Sequence, residues 1–158
     1  MNWQQVCEDP NLQNLPYKIE LDHCGRIIMS PVKIYHALYS SKIGNLLGNL
    51  LKGHTLVECA IQTRRGTKVA DVAWCSDERL EKIKEAFDAP IAPEICVEVL
   101  SSGHTRREMK QKRALYFEQG AQEVWICDEE GQMSFFSQEG PLEQSSLVPR
   151  FPQQITIG

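Results

Sequence analysis

Two carboxylates stand in this sequence where the pattern asks for apolar side chains. Asp71 breaks the run Val69-Ala70 and Val72-Ala73-Trp74, and Glu98 breaks Cys96-Val97 and Val99-Leu100. An ionised carboxylate inside a buried strand costs several kcal/mol unless it is paired or binds a metal. Two such acids on neighbouring strands also repel each other, and a shared divalent cation would remove both costs. A structural ion pair, or exposure at a sheet edge, is the other reading that the residues themselves leave open. Downstream, Glu108, Lys112 and Tyr116 recur every four residues and so share one helix face. Lys112 could point back across the strand end toward Glu98, with Arg106, Arg107, Lys110 and Arg113 adding positive charge nearby. A solvated amphipathic helix with ordinary Glu–Lys pairs is the alternative. An Asp, a Glu and a Lys around one cation form a set suited to phosphodiester hydrolysis. The carboxylates hold Mg²⁺ by one or two oxygens and leave water and phosphate to complete the octahedron. The metal polarises the phosphoryl group and lowers the pKa of a bound water, and the lysine orients that water or steadies developing negative charge.

The elements that must position these groups follow from turn signals and periodicity. Residues 1–14 are polar and partly helical in pattern. Residues 19–22 and 26–29 read as a hairpin about HisCysGly, closed by Ser30-Pro31. Apolar groups at Ile34, Leu38, Ile43, Leu46, Leu47 and Leu50 predict a helix over 33–52, ended by Gly53-His54. Residues 55–63 and 68–75 predict two strands joined by a tight turn at 64–67. Ser76 is positioned to cap a short helix over 77–87. The near-continuous apolar run at 94–101 fits a strand buried on both faces. A basic helix over about 105–119, stopped by Gly120, leads to a second buried strand at 123–128. Residues 131–137 follow as its antiparallel partner, and the last 20 residues are expected to be irregular, with Pro141, Pro149 and Pro152. Strand, helix and strand over 94–128 have the length of one crossover unit. The fold class is therefore α/β, with a mixed sheet, hairpins, and helices on both faces.

The chain has 158 residues, the length of one domain spanning 1–158. Its composition, 42% apolar and 24% charged, is that of a globular protein and excludes disordered, collagen-like and coiled-coil readings. No apolar run approaches a membrane span, and no secretory signal precedes the first elements, so a cytoplasmic protein without membrane attachment is expected. Six cysteines (Cys7, Cys24, Cys59, Cys75, Cys96, Cys127) form no CxxC pair. Four of them sit in apolar strand-like runs, which suits reduced structural thiols. The net charge of −4 argues against a nucleic-acid binder when taken whole. Its distribution argues otherwise. Residues 118–158 carry seven acids against Arg150 alone, whereas residues 1–117 carry sixteen bases against fourteen acids. The acidic part is expected to face away from the site.

These stretches, taken in order, resemble the Uma-two family of endonucleases within the PD-(D/E)xK (restriction-endonuclease-like) superfamily. The resemblance is carried by IELDHCGRIIMSP at 19–31, His36, VADVAWCSDER at 69–79, AP and EICVEVLS within 92–101, EMKQKRALYFEQGAQEVWICD at 108–128 and SLVPRFP at 146–152. It implies a restriction-endonuclease-like fold: a central four-stranded mixed sheet flanked by helices, with β-hairpin additions. It implies that Asp71 and Glu98 are metal ligands for Mg²⁺ or Mn²⁺, with Glu20 and His36 completing the catalytic pocket. Two departures stand out. The usual Pro-Asp is Ala70-Asp71, which removes no catalytic atom, and Leu100 stands where the family motif has its lysine. Lys112 matches a lysine migrated to the following helix, with Lys110 as the second choice. The implied activity is metal-dependent hydrolysis of DNA, with Arg106, Arg107, Lys110 and Arg113 meeting the phosphate backbone. A homodimer is expected, since cutting two strands takes two sites, and no small-molecule cofactor is called for.

The remaining candidates are weaker. His104 precedes the basic helix and reads first as a loop residue, with phosphate contact second. His23 and His54 read as turn residues, Trp74 and Trp125 as core aromatics, and Trp3 as a packing anchor or dimer contact. No Gly-rich phosphate loop, HExxH, GxSxG or Cys/His dyad is present, which excludes NTPase, zincin and α/β-hydrolase chemistry at the motif level. Two rival functions stay open: a catalytically inactive nuclease-fold module that binds DNA or a protein partner, and a plain interaction domain whose carboxylates pair with arginines.

Overall fold

The alternating residues between 54 and 75 fold into a long hairpin in a computed structural model that describes residues 1–157. Its arms are β3 (His54–Thr63) and β4 (Gly66–Cys75). β4 pairs antiparallel with β5 (Ile95–Val99), which pairs parallel with β6 (Glu123–Cys127). β7 (Met133–Ser137) and β8 (Gly140–Leu142) follow antiparallel, giving a six-stranded mixed sheet in the order β3-β4-β5-β6-β7-β8. β1 (Tyr17–Leu21) and β2 (Ile27–Pro31) make a separate two-stranded hairpin. The expected mixed α/β architecture is thus present, with six strands where the resemblance implied four. β3 to β7 fall where the sequence predicts strands, and β8 is a three-residue strand in a segment expected to be irregular.

Helix α2 (Ile34–Leu50) buries Tyr39, Ile43 and Leu47 at a four-residue spacing. These side chains join Val72, Ile95, Val97, Val99 and Trp125 in one core cluster. A second cluster joins Ala70, Cys96 and Val124 of the sheet to Tyr116 of α4 (Arg106–Glu118). Side chains alternate faces along a strand, so Glu98 lies on the Cys96 side of β5, toward α4, while its odd-numbered neighbours face α2. α4 is the crossover between the parallel strands β5 and β6. Thr105 caps it by accepting from Glu108 N, and Gly120, at φ 108°, follows its end.

Two shorter helices complete the chain. α1 (Trp3–Glu8) opens with a capping box between Asn2 and Gln5. α3 (Asp77–Ile83) is capped by Ser76 as expected but ends four residues before the predicted 87. The chain after it leaves helical geometry to run along β3: Ala89 N donates to Ala60 O at 2.8 Å, and Gln62 N to Ala89 O at 2.9 Å. Among the described residues, no helix is long and apolar enough to cross a membrane.

The β1–β2 hairpin is docked on β4. Lys68 Nζ donates to Leu21 O at 3.0 Å, and Val69 N donates to Glu20 Oε2 at 2.7 Å. The approach is close enough to require Gly66, whose φ is 92° and whose hypothetical Cβ would lie 2.3 Å from the carbonyl oxygens of both Leu21 and Asp22. This docking turns one face of β1 toward the centre of the sheet.

Candidate active site

Asp71 in β4 and Glu98 in β5 are 4% and 3% exposed, so both acids are inside the molecule as their apolar neighbours suggested. Three further elements converge on them. α4 brings Lys112, whose Nζ lies 2.6 Å from Glu98 Oε1 and 2.8 Å from Glu20 Oε2. β1 brings Glu20. α2 brings His36, with Nε2 3.2 Å from Asp71 Oδ1. All five catalytic residues expected from the sequence therefore meet. Lys110, the second choice, is exposed and lies about 200° round the helix from Lys112.

Three further groups take part. Tyr116, four residues beyond Lys112 on the same face, donates its hydroxyl to Glu98 Oε2 at 3.2 Å. Val99 N donates to Asp71 Oδ2 at 2.8 Å. Lys18, which the sequence reading did not single out, places Nζ 3.0 Å from Asp71 Oδ1, 3.4 Å from Glu98 Oε1 and 4.0 Å from Glu20 Oε2. A signal for it existed. Strand alternation puts Lys18 on the face of Glu20, but the apolar pattern predicts the hairpin only from Ile19, whereas the strand starts at Tyr17.

The electrostatics follow from this packing. Burial alone would raise the Asp71 carboxyl. The hydrogen bond from His36, the Lys18 charge and the Val99 amide outweigh it and hold Asp71 well below the usual carboxylate range. Glu20 is likewise held down against burial by Lys112, Lys18 and the Val69 amide. Burial would lower the Lys18 ammonium, but Glu98, Asp71 and Glu20 together push it above the ordinary lysine range. Burial, then the neighbouring Glu98, drives the Tyr116 phenol far up, so it stays a protonated donor.

The donor set suits a hard divalent cation. Asp71 Oδ1, Glu98 Oε1 and Glu20 Oε2 point at one place, and a cation, the Lys18 ammonium, already stands at that focus. Val99 N and Tyr116 OH occupy the outer oxygens of Asp71 and Glu98, so each presents a single oxygen inward. His36 Nε2 orients Asp71, and its Nδ1 is buried without a hydrogen-bond partner among the described residues. Asp22, His23 and Cys24 also bring ligand atoms within 4.8 Å of one another, but there Asp22 Oδ1 accepts from Cys24 N and Arg26 N to shape the hairpin turn. Glu123 in β6 shows what a structural buried acid looks like by contrast. It is 2% exposed and meets no ammonium, accepting instead from Trp125 Nε1, Ser145 Oγ, Ser146 N and Leu147 N.

Two openings lead to the carboxylates. A groove of about 630 Å³ runs along α2 past Ser40, Gly44 and Gly48 to His36 and Asp71. Glu58 sits on its rim opposite Asp71, with a φ of 52° that is strained for a residue other than glycine, and it is absent from the β3–β4 ladder. A second groove of about 320 Å³ reaches Glu20 and Lys112 past Lys68, His104 and Glu108. Arg106, Arg107, Lys110 and Arg113 of α4 are not at the carboxylates. Arg106, Lys110 and Arg113 line a third groove of about 550 Å³, which meets the second at His104 and Met109. Arg113 lies 3.8 Å over the Phe136 ring, and Arg107 lines neither groove. The expectation that the acidic part faces away needs correcting at two residues: Asp128 lines this basic groove, and Glu129 lines a small cavity beside His36. Asp128 is there to close the turn before β7, its Oδ1 accepting from Glu130 N and Gln132 N.

The other candidates fall into structural places. His104 Nδ1 accepts from Ser101 N at 3.0 Å, and His54 Nε2 meets Asp77 Oδ1 at 2.6 Å. Trp74 and Trp125 are buried. All six cysteines are free; Cys75, Cys96 and Cys127 are buried and Cys59 is half-buried.

The Uma2 family model, described as "Putative restriction endonuclease", matches residues 3–157. No curated protein matches the chain. Among solved structures, the chain is similar to a crystal structure from Anabaena variabilis ATCC 29413 described as "a putative nuclease belonging to DUF820". The two are 16% identical, the match covers 98% of this chain and 94% of the other, and the TM-score is 0.72. The likeness shows that the two chains share a fold.

Proposed function

The chain belongs to the Uma2 family, and from that premise we propose that it is a metal-dependent endonuclease that hydrolyses phosphodiester bonds in DNA. The observation that carries the reading is the convergence of Asp71 Oδ1, Glu98 Oε1 and Glu20 Oε2 on one cation-holding place, with Lys112 against two of the three acids. Asp71 and Glu98, with Glu20, would hold Mg²⁺ or Mn²⁺. Such an ion supplies polarisation of the phosphoryl group and activation of water. The chain's own residues set the geometry. Val99 N and His36 fix Asp71, Tyr116 fixes Glu98, and Val69 N fixes Glu20. Lys112 spends two of its three N–H donors on Glu98 and Glu20, which leaves one for a phosphoryl oxygen. Low exposure of the carboxylates strengthens each of these interactions. A homodimer would supply one such site per strand.

The test is cleavage of plasmid and labelled oligonucleotides in Mg²⁺, Mn²⁺ or EDTA, for the native chain and for Asp71→Asn and Asp71→Ala. We expect cleavage that needs metal and falls by about 100-fold or more in both variants. Equal behaviour of native and variant proteins at matched purity would refute the reading. One observation favours a second reading, a nuclease-fold module that binds DNA without cutting it: Lys18 already compensates the carboxylates. DNA binding without cleavage and without Mn²⁺ uptake would support that module.

A further inference from the structure

Lys18 differs from every other basic residue at the site. It belongs to β1, in the small hairpin, and its register partner on β2 is Ser30. Its charged partners are Asp71, Glu98 and Glu20, the same three acids that define the candidate metal place. Lys112 sits differently. It reaches Glu98 and Glu20 but makes no ion pair with Asp71, so it flanks the focus without occupying it. Two buried carboxylates and the partly buried Glu20 face two ammonium groups, and with Lys18 removed, Asp71 would keep only His36 as a basic neighbour. Like charges this close do not stay together without a counter-ion.

An ammonium and a divalent ion cannot share this focus. A metal at ~2.1 Å from the Asp71 oxygen would stand against a like charge that is itself 3.0 Å from that oxygen. The fold leaves Lys18 a way out. The contacts that dock β1 on β4 are made at Glu20 and Leu21, beyond Lys18 toward the hairpin turn. Ser30, the register partner of Lys18 and so on the same face of the hairpin, lines the 320 Å³ groove together with Glu20, and the Lys18 side chain is itself 11% exposed. The side chain can therefore swing toward solvent while Glu20 stays docked.

We infer that Lys18 is a tethered counter-cation that holds Glu20, Asp71 and Glu98 in their binding arrangement until a divalent ion takes its place, so that ion entry and Lys18 exit are one exchange. Lys18 is a positioning residue in this scheme, and the inference rests on the metal-binding reading above. A tethered competitor lowers the apparent affinity for the ion. It also keeps the apo site from springing apart. A lysine with a purely structural role predicts the opposite, since its loss would disorder the acids and weaken ion binding.

Mn²⁺ titration calorimetry on the native chain and on Lys18→Met, with folding checked by circular dichroism, reads the competition directly. We expect Lys18→Met to bind Mn²⁺ more tightly by about tenfold or more. A second measurement needs no variant. The native chain is briefly acetylated with N-hydroxysuccinimidyl acetate, in EDTA and in Mn²⁺, and modification at Lys18 is read by mass spectrometry. The exchange predicts that Mn²⁺ raises modification at Lys18. Equal or weaker Mn²⁺ affinity in folded Lys18→Met, or Lys18 labelling that does not rise while Mn²⁺ binds, overturns the exchange and leaves the metal site standing. Absence of Mn²⁺ binding by both proteins overturns the metal site and the exchange with it. Should Lys18→Met fail to fold, the labelling decides.

Discussion

Glu98 and Lys112 are 14 residues apart in the chain and 2.6 Å apart at Oε1 and Nζ. The position two beyond Glu98 holds Leu100, so the ammonium at this acid arrives from a helix instead of from the strand. A lysine on α4 depends on helix phase. Lys112 is buried on the inward face, while Lys110 faces out. Lys112→Met should therefore reduce DNA cleavage by about 100-fold or more, and Lys110→Ala should leave the cleavage rate at saturating DNA unchanged. Lys112→Met should also destabilise the fold by about 3 kcal/mol, the lower part of the range for breaking a buried pair, because Lys18 remains near both acids. Single-turnover rates and urea unfolding of the two variants check both statements.

The hairpin's place depends on Gly66. A Cβ there would collide with the Leu21 and Asp22 carbonyl oxygens at 2.3 Å, and the backbone angle is one that side chains rarely tolerate. Gly66→Ala should push β1 off β4 and carry Lys18 and Glu20 away from Asp71, leaving the six-stranded sheet intact. We expect slower cleavage of DNA, a loss of about 1–3 kcal/mol in stability from the strained backbone, and faster tryptic cutting after Arg26, which is 74% exposed in the hairpin turn. Unchanged proteolysis at Arg26 would show that the hairpin had kept its seat.

How much of this could be read beforehand depends on range. Asp71 and Glu98 were conspicuous because a charge inside an apolar strand is a local contradiction, visible without knowing what lies opposite. Helical spacing put Lys112 on a face with Glu108 and Tyr116, and the family resemblance chose it over Lys110. Glu20 and His36 came only from the family resemblance, since a Glu in a hairpin and a His at a helix start are ordinary. Lys18 was missed because its role depends on a hairpin folding back over strands more than fifty residues away. Glu123 was missed for the same reason, its partners Ser145, Ser146 and Leu147 lying over twenty residues downstream. The extra strand β8 and the early end of α3 were likewise set by neighbours, through pairing with β7 and with β3.

The thiols offer a check on the core that is independent of catalysis. Cys7 and Cys24 are exposed, whereas burial pushes the thiols of Cys59 and Cys127 up to about 12. Near neutral pH, a chromogenic disulfide reagent should titrate Cys7 and Cys24 quickly in the native protein and the other four only on unfolding. The sign of the pH effect follows. A thiol whose folded pKa lies above its unfolded value of about 8.5 favours the fold fully below that pH. The unfolded chain then releases protons that the native protein retains, so stability should fall as pH rises from about 8.5 toward 12. Urea midpoints across that range, compared with those of a Cys59→Ala variant, read the effect. A flat profile in the native chain would contradict it.

The basic face of α4 separates affinity from chemistry. Arg106, Lys110 and Arg113 line a groove that joins the carboxylate groove at His104 and Met109, so a phosphate backbone leaving the site can continue onto these three charges. Each phosphate contact releases condensed counter-ions, and the slope of log affinity against log salt falls by about 0.9 for every contact removed. Arg106→Ala and Lys110→Ala should each lower that slope by about one such step and weaken binding to any DNA sequence alike. Arg107→Ala should leave the slope unchanged, because Arg107 lines neither groove. Arg113→Ala should lower the slope and also reduce stability by about 0.5–1 kcal/mol, since its guanidinium lies 3.8 Å over the Phe136 ring. Fluorescence anisotropy of a labelled duplex, titrated with salt in EDTA, measures binding apart from cleavage. Identical slopes for all four variants would place the DNA path elsewhere, with the small-residue groove along α2, which also opens on Asp71, the next surface to test.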